Sequence, residues 1–147
     1  MERGIHHTSV TVSDMDRSVA FYRDLLGLEV TWSSDAAGVR FEGAVADAVT
    51  GCPGTSQRIV FMRTGEDLVE LVEYTPTGRE QVDNKASDSG AMHVCFRTDD
   101  IDDLYRRLVA SGARLHCSPQ DVAGAQVFYF RGPDGEILEA IAGEPPV

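Results

Sequence analysis

The sequence is short of positive charge. Its 147 residues contain 13 lysines and arginines against 24 aspartates and glutamates, so the formal net charge is −11. Each contact with a nucleic-acid phosphate needs a cation, and a chain with this balance is not expected to bind nucleic acid. No partner of that class is therefore predicted.

Long apolar runs and paired cysteines are also missing. No run approaches the roughly 18 apolar residues that a membrane-spanning helix needs, and the first residues lack the apolar core of a signal peptide. Cys52, Cys95 and Cys117 form no Cys-x-x-Cys motif and are odd in number, as is usual for reduced thiols. We therefore expect a cytoplasmic protein without a membrane partner, in which Cys95 packs as a small apolar residue.

What the sequence does contain is a strand-and-helix unit that occurs twice. The segment 5–27 places His7 on a strand and then begins a helix capped near Asp14. Later in the chain, His93 and Asp100 follow them at one constant offset, again on a strand and before a helix. The repeat indicates one structural unit used twice, and the chain length favours a single domain.

Each unit is predicted to contain a strand, a helix and three further strands. The patterns predict strands at 5–12, 28–32, 57–63, 68–74, 91–97, 114–117, 126–131 and 136–141, with helices that end at Gly27 and Gly112. Residues 33–56, rich in Gly, Ala, Ser and Asp, are expected to form a long loop that covers a pocket. Module one then spans about 4–75, a turn-rich linker about 76–90, and module two about 91–143.

Each module has a histidine on its first strand and a glutamate on its last strand. His7 and Glu70 in the first module correspond to His93 and Glu139 in the second. One such residue alone is usually structural, but four at equivalent places in two repeats are harder to explain in that way. Two imidazoles and two carboxylates that converge across a curved sheet form a site for a divalent ion, because carboxylate charge cancels the charge of the metal.

With these residues, the chain closely resembles the vicinal oxygen chelate superfamily, which includes glyoxalase I, methylmalonyl-CoA epimerase, extradiol dioxygenases, and fosfomycin and bleomycin resistance proteins. The motifs that carry the resemblance are His7-Thr-Ser-Val-Thr-Val-Ser-Asp, Ser18-Val-Ala-Phe-Tyr, Leu26-Gly, Val69-Glu-Leu, His93-Val-Cys-Phe-Arg-Thr-Asp-Asp and Pro133-Asp-Gly-Glu-Ile-Leu-Glu. The resemblance implies an α+β fold, in which two βαβββ modules form a cupped eight-stranded mixed sheet with helices on the outer face. It implies a single domain over residues 1–147, usually in a homodimer.

The resemblance also implies a ligand set. His7, Glu70, His93 and Glu139 correspond to the four residues that bind one divalent ion in the family, where zinc, nickel, cobalt, manganese or iron is used. Two coordination positions are then left for oxygens of a small-molecule substrate.

Individual members of the family are distinguished by residues that this chain lacks. Bacterial glyoxalase I typically has an arginine and an asparagine for glutathione where this chain has Thr11 and Tyr74. Methylmalonyl-CoA epimerases usually have a glutamine at the position of Glu70 and a base glutamate at that of Pro53. A dioxygenase needs an open position on its metal that a fourth ligand would occupy. Glutathione and CoA thioesters are therefore disfavoured as substrates.

The predicted function is a metal-dependent isomerase, epimerase or glyoxalase-like lyase that acts on a small α-hydroxy ketone of sugar or cyclitol type. A Lewis-acid ion acidifies the carbon beside the carbonyl, and Glu70 and Glu139 are the candidate bases that move its proton through a metal-bound enediolate. One alternative is a protein that binds and sequesters a small molecule such as an antibiotic, which fits the negative charge. A weaker alternative is an extradiol-type dioxygenase.

The predicted strand faces indicate further candidates for substrate binding. Arg97 lies on the ligand face, where it either binds a substrate carboxylate or phosphate or pairs with an acid at the rim. Tyr129 either binds substrate in the cleft or fills the core, and the core is the favoured interpretation. His6 is expected to point away from His7 and to be structural, whereas the pattern assigns no role to His116.

Overall fold

The computed structural model describes residues 4–76 and 83–144, and the chain divides into two compact units, Met1–Glu80 and Gln81–Val147. In its described residues each unit contains one four-stranded mixed sheet with the element order βαβββ. The predicted α+β class with two βαβββ modules is confirmed. Residues 77–82 of the predicted linker lie outside the described residues, and the pairing of both modules in one eight-stranded sheet stays a prediction.

The first unit has the strand order β1-β4-β3-β2, in which β1 is parallel to β4 and the other pairs are antiparallel. Its strands are β1 (Thr8–Val12), β2 (Glu29–Ser33), β3 (Ser56–Thr64) and β4 (Asp67–Thr75). Its helices are α1 (Met15–Ala20), which continues as a π-helical turn over Phe21–Leu25, α2 (Ser34–Ala37) and α3 (Ala44–Thr50). As predicted from the sequence, Asp14 caps α1, by accepting a hydrogen bond from the amide of Arg17.

The second unit repeats this arrangement with the strand order β5-β8-β7-β6, in which β5 is parallel to β8. Its elements are β5 (His93–Arg97), α4 (Ile101–Ser111), β6 (Gln120–Val122), β7 (Ala125–Arg131) and β8 (Ile137–Ala142). Asp100 caps α4 through the amide of Asp103, and the helix ends at Gly112, whose φ of 77° is one that glycine adopts readily. The two modules therefore start their helices with the same kind of cap.

Alternate side chains of each sheet build its apolar core. The core of the first unit includes Val10, Val12, Met15, Tyr22, Leu28, Val60, Met62, Val69 and Leu71, and that of the second includes Phe96, Ile101, Leu104, Leu108, Phe128, Phe130, Leu138 and Ala140. Burial of each large side chain contributes roughly 1.5–3 kcal/mol. Because strand side chains alternate, Glu70 and Glu139, each flanked by buried residues, lie on the opposite face of their sheets.

Residues 33–56 differ from the predicted loop, because they contain α2 and α3. The hydroxyl of Ser33 accepts a hydrogen bond from the amide of Ala36 and so begins α2. Buried Ser34 accepts one from the amide of Ile59 at 3.0 Å, which attaches this helix to β3. The prediction of a cover over a pocket is not tested by these contacts and stays a prediction.

Two strand predictions are also corrected. Residues 114–117 are not a regular strand, although the bridge Leu115–Phe130 and two backbone hydrogen bonds, from His116 to Tyr129 and from Arg131 to Arg114, join them to β7. The third regular strand of the second unit is β6. Met92 lies within the strand predicted at 91–97, but it precedes β5 and is 79% exposed. Within residues 4–76 and 83–144, no helix has the length and apolar character needed to cross a membrane.

Candidate metal and substrate site

His7 of the first unit lies just before β1 and faces Glu70 on the adjacent strand β4. The distance from His7 Nε2 to Glu70 Oε2 is 3.3 Å, and the side chains are 34% and 14% exposed. Ser9 is the parallel-strand partner of Glu70, so the glutamate is paired with the residue two positions after the histidine. Residues two apart on a strand share a face, which explains why the carboxylate and the imidazole meet.

His93 and Glu139 form the same arrangement in the second unit. Their Nε2–Oε2 distance is 3.1 Å, and Cys95, two residues after His93, is the strand partner of Glu139. The sequence therefore paired each histidine with the correct glutamate. The structure adds that the register is identical in both units.

The separation of the donors in each pair fits neighbouring ligands of one metal ion. Two donors about 2.1 Å from an ion, at angles of roughly 90–110°, lie about 3.0–3.4 Å apart. Both observed distances, 3.3 and 3.1 Å, lie in this range. In the described part of the chain, no three or more His, Cys, Asp or Glu side chains form a cluster that could hold a metal ion. Binding of one ion by all four residues stays a prediction.

In the first unit, a row of side chains continues from Glu70 across the sheet to aromatic residues. Phe61 on β3 is the strand partner of Glu70, and Trp32 on β2 is the partner of Phe61. The ring of Phe61 lies 5.4 Å from that of His7 and 6.1 Å from that of Trp32, edge-on or tilted. Phe41 lies 6.4 Å beyond, and Trp32 and Phe41 are 36% and 39% exposed. An apolar aromatic surface thus adjoins His7.

In the second unit, the corresponding row is polar. Tyr129 on β7 is the strand partner of Glu139, its ring lies 5.2 Å from that of His93, and its hydroxyl lies 3.5 Å from His93 Nε2. The ring of His116 stacks on Tyr129 at 6.1 Å, and His116 Nε2 accepts a hydrogen bond from buried Arg131 at 3.0 Å. Tyr129 therefore lines the ligand face, and the favoured interpretation that it fills the core is wrong.

Charges and partial burial alter the pKa values of side chains in this second row. Burial, followed by the negative charge of Glu139, raises the pKa of Tyr129 and raises that of the Cys95 thiol to about 12. Burial, followed by the positive charges of Arg131 and Arg114, lowers the pKa of His116 below its ordinary value of 6.5. At neutral pH, His116 is therefore a neutral acceptor for the Arg131 guanidinium.

Three other residues were assigned from the sequence. Arg97 follows the alternative interpretation, whereas His6 and Cys95 differ from what the sequence predicts. Arg97 pairs with Glu144 and is 65% exposed, as the alternative interpretation predicts, and its role toward a substrate stays a prediction. His6 was expected to point away from His7, but both precede β1 and their Nδ1 atoms lie 2.8 Å apart. Cys95 does not pack as an apolar residue, because it is exposed beside Glu139.

Phe61 and Trp32 beside Glu70, and His116 beside Tyr129, are not predicted as site residues from the sequence pattern. The predicted hairpin of β3 and β4 contained a usable signal, because counting back from its turn places Phe61 opposite Glu70. Trp32 had no comparable signal, since a bulge between Val30 and Trp32 shifts the register of β2 against β3.

Comparison with known proteins identifies a family and several relatives of this chain. Residues 4–140 match the family model described as Glyoxalase/Bleomycin resistance protein/Dioxygenase superfamily. The chain is 30% identical to a 2-epi-5-epi-valiolone epimerase of an Actinomyces species, over 96% of this chain and 81% of that protein. It is 26% identical to an ethylmalonyl-CoA/methylmalonyl-CoA epimerase of Cereibacter sphaeroides, over 82% of this chain and 80% of that protein.

A solved structure shares the fold over nearly the full length. The glyoxalase family protein from Bacillus cereus superimposes with a TM-score of 0.80 at 26% identity, covering 94% of this chain and 92% of that one.

Proposed function

Because the chain belongs to the Glyoxalase/Bleomycin resistance protein/Dioxygenase superfamily, we propose that it is a metal-dependent isomerase or epimerase. Its substrate is a small α-hydroxy ketone of sugar or cyclitol type. The enzyme removes a proton from the carbon beside the carbonyl and returns a proton to the substrate. The observation that carries the proposal is the pair of His–Glu contacts at identical register in both units. The similarity to a valiolone epimerase supports the reaction type and the substrate class, since a valiolone is a cyclic polyhydroxy ketone.

The four residues of these pairs would hold the ion. His7 and His93 supply neutral nitrogen donors, and Glu70 and Glu139 supply carboxylates whose charge balances a divalent cation. When bound, the ion supplies Lewis-acid polarisation of the substrate oxygens. The donor set of nitrogen and carboxylate oxygen suits zinc, nickel, cobalt, manganese or iron.

A carboxylate is the group that moves the proton. Glu70 and Glu139 are each about 15% exposed, so a substrate can reach them while bulk water has limited access. Either carboxylate can accept the proton from the substrate carbon and return it to another position or to the opposite face. Tyr129 is proposed to bind a substrate oxygen, which the position of its hydroxyl 3.5 Å from His93 Nε2 supports. Arg97 is proposed to bind an anionic group of the substrate.

The proposal is tested with the metal-loaded protein and its Glu139→Gln and Glu70→Gln variants. We expect about one divalent ion per subunit by elemental mass spectrometry, and exchange of the carbon-bound proton of 2-hydroxycyclohexanone in deuterated water by NMR. At least one variant should lose exchange by about 100-fold or more while it still binds the metal. Full exchange in both metal-containing variants would refute the carboxylate base. Glu66→Gln is the control, because Glu66 is exposed in the turn between β3 and β4.

A second candidate is a protein that binds and sequesters a small molecule without catalysis. The exposed rings of Trp32 and Phe41 and the net charge of −11 favour this candidate for an aromatic cation. Removal of the metal with a chelator separates the two functions. Catalysis would be lost on chelation, whereas sequestration through the rings would persist.

We also propose that the protein acts as a homodimer in the cytoplasm. The family resemblance supports the dimer, and the reduced cysteines support the location. Light scattering coupled to size exclusion tests the first point, with about twice the 16.0 kDa chain mass expected. A monomer at micromolar concentration would refute it.

A further inference from the structure

The His7–Glu70 and His93–Glu139 pairs have the same geometry but different neighbours. The row in the first unit runs from Glu70 through Phe61 to Trp32, whereas the row in the second runs from Glu139 through Tyr129 to His116. An apolar ring therefore stands in the first unit where a hydroxyl or an imidazole stands in the second. The difference bears on which part of a substrate each half can contact.

The aromatic row lies on the sheet face of Glu70 and is only partly buried. Glu70 and Phe61 share a face, and the ring of Phe61 is in edge contact with that of His7. Trp32 touches Phe61 on the side away from His7 but keeps 36% of its surface exposed. Large aromatic side chains left exposed next to polar site residues are typical of ligand-binding surfaces. This surface is continuous with the His7–Glu70 pair.

We propose that Trp32 and Phe61 bind one face of a ring-shaped substrate, and that Trp32 makes the site selective for cyclic over open-chain α-hydroxy ketones. This inference rests on the proposed function for the identity of the reacting group. A saturated ring has a face of C–H bonds that covers an indole, whereas an open-chain hydroxy ketone has no such face. Its oxygens then extend toward the His7–Glu70 pair, at the end of the row where the polar atoms are.

The chain offers a direct reporter for this inference, because Trp32 is its single tryptophan. The metal-loaded protein is titrated with 2-hydroxycyclohexanone and with acetoin, which carry the same functional group on a ring and on an open chain. We expect a saturable change in tryptophan emission with the cyclic ketone, and a dissociation constant about tenfold lower than that of acetoin.

Variants at position 32 separate stacking from a structural role. By calorimetry, Trp32→Phe should keep most of the preference for the cyclic ketone, while Trp32→Leu should lose it and leave acetoin binding within about twofold. Val109→Ala is the control, because this exposed residue lies on α4 of the second unit. Circular dichroism and thermal melts verify that each variant folds.

Each result has a defined meaning. Equal affinity for the two ketones, or an unchanged preference in Trp32→Leu, would overturn the inference. The inference would also be overturned if the emission spectrum of Trp32 changed with protein concentration but with neither ketone. A second copy of the chain would then cover the ring. Failure of the proposed function gives a different result. The cyclic ketone would still bind preferentially at Trp32, but the protein would hold no metal, or both glutamine variants would keep full proton exchange.

Discussion

Phe61 and Tyr129 hold the same position in the sheets of their own units, each directly across from the glutamate that contacts a histidine. Phe61 lies opposite Glu70, and Tyr129 lies opposite Glu139. Both rings are within 5.4 Å of the histidine of their unit, measured between ring centroids. The single chemical difference between the two is the hydroxyl of Tyr129, which makes that hydroxyl a natural target for mutation.

Tyr129→Phe should weaken substrate binding without loss of stability. The hydroxyl lies 3.5 Å from His93 Nε2 and has a hydrogen bond with Glu139. Because Tyr129 is only partly buried, water can take over these contacts, so removal of the hydroxyl costs the fold little. A hydroxyl that binds a substrate oxygen contributes about 1 kcal/mol, and we expect the dissociation constant of 2-hydroxycyclohexanone to rise about fivefold by calorimetry. Tyr105→Phe is the matched control, because Tyr105 lies on α4 and contacts Phe128. Equal effects in the two variants would contradict a substrate contact.

His116 should make the protein less stable in acid. The folded state lowers its pKa below 6.5, so between the two pKa values the unfolded chain binds more protons than the folded chain. This contribution to stability is present above pH 6.5 and is lost as the pH falls through the folded pKa. His116→Gln keeps an acceptor for Arg131 but cannot titrate.

The free energy of unfolding, measured with urea at about pH 7.5 and about pH 5.5, should therefore change less in His116→Gln than in the wild type. His6→Gln is the control, because it removes an exposed histidine in the other unit. An identical pH dependence in the wild type and His116→Gln would show that burial and the charges of Arg131 and Arg114 do not disfavour the charged imidazole.

Leu71→Ala should strongly destabilise the protein. Leu71 follows Glu70 on β4 and is fully buried on the opposite face of the sheet. Its truncation leaves a cavity in the core of the first unit. We expect the free energy of unfolding to fall by about 2–5 kcal/mol in urea denaturation. Val109→Ala, at a residue that is 51% exposed on α4, should change it by less than about 0.5 kcal/mol. A comparably small change at Leu71 would show that the core closes around the cavity.

The strands with strong alternation were predicted well. The strand predicted at 68–74 is observed as Asp67–Thr75, because Val69 and Leu71 alternate with Glu70 and a hairpin turn precedes them. The strand predicted at 114–117 is too short to be regular, and β6 was not predicted, each for a physical reason. Pro119 follows closely and cannot donate a ladder hydrogen bond. The turn that starts the next hairpin is Ala123-Gly124, with φ of 50° and 91°, where sequence rules expect Asn or Asp before the glycine.

The sequence by itself determined the two βαβββ modules, their caps, and which histidine belongs with which glutamate, because periodicity and repetition are local properties of the chain. Only the tertiary structure decided what surrounds each pair. Hairpin registers set Phe61 opposite Glu70 and Tyr129 opposite Glu139, but Trp32 reaches the first row through β2, which is distant from β3 along the chain. In the second unit, the ring of His116 stacks on Tyr129 from a segment outside the strands. An alternating pattern assigns a side chain to a face, but its neighbours across the sheet depend on how strands align, and a bulge of one residue changes them.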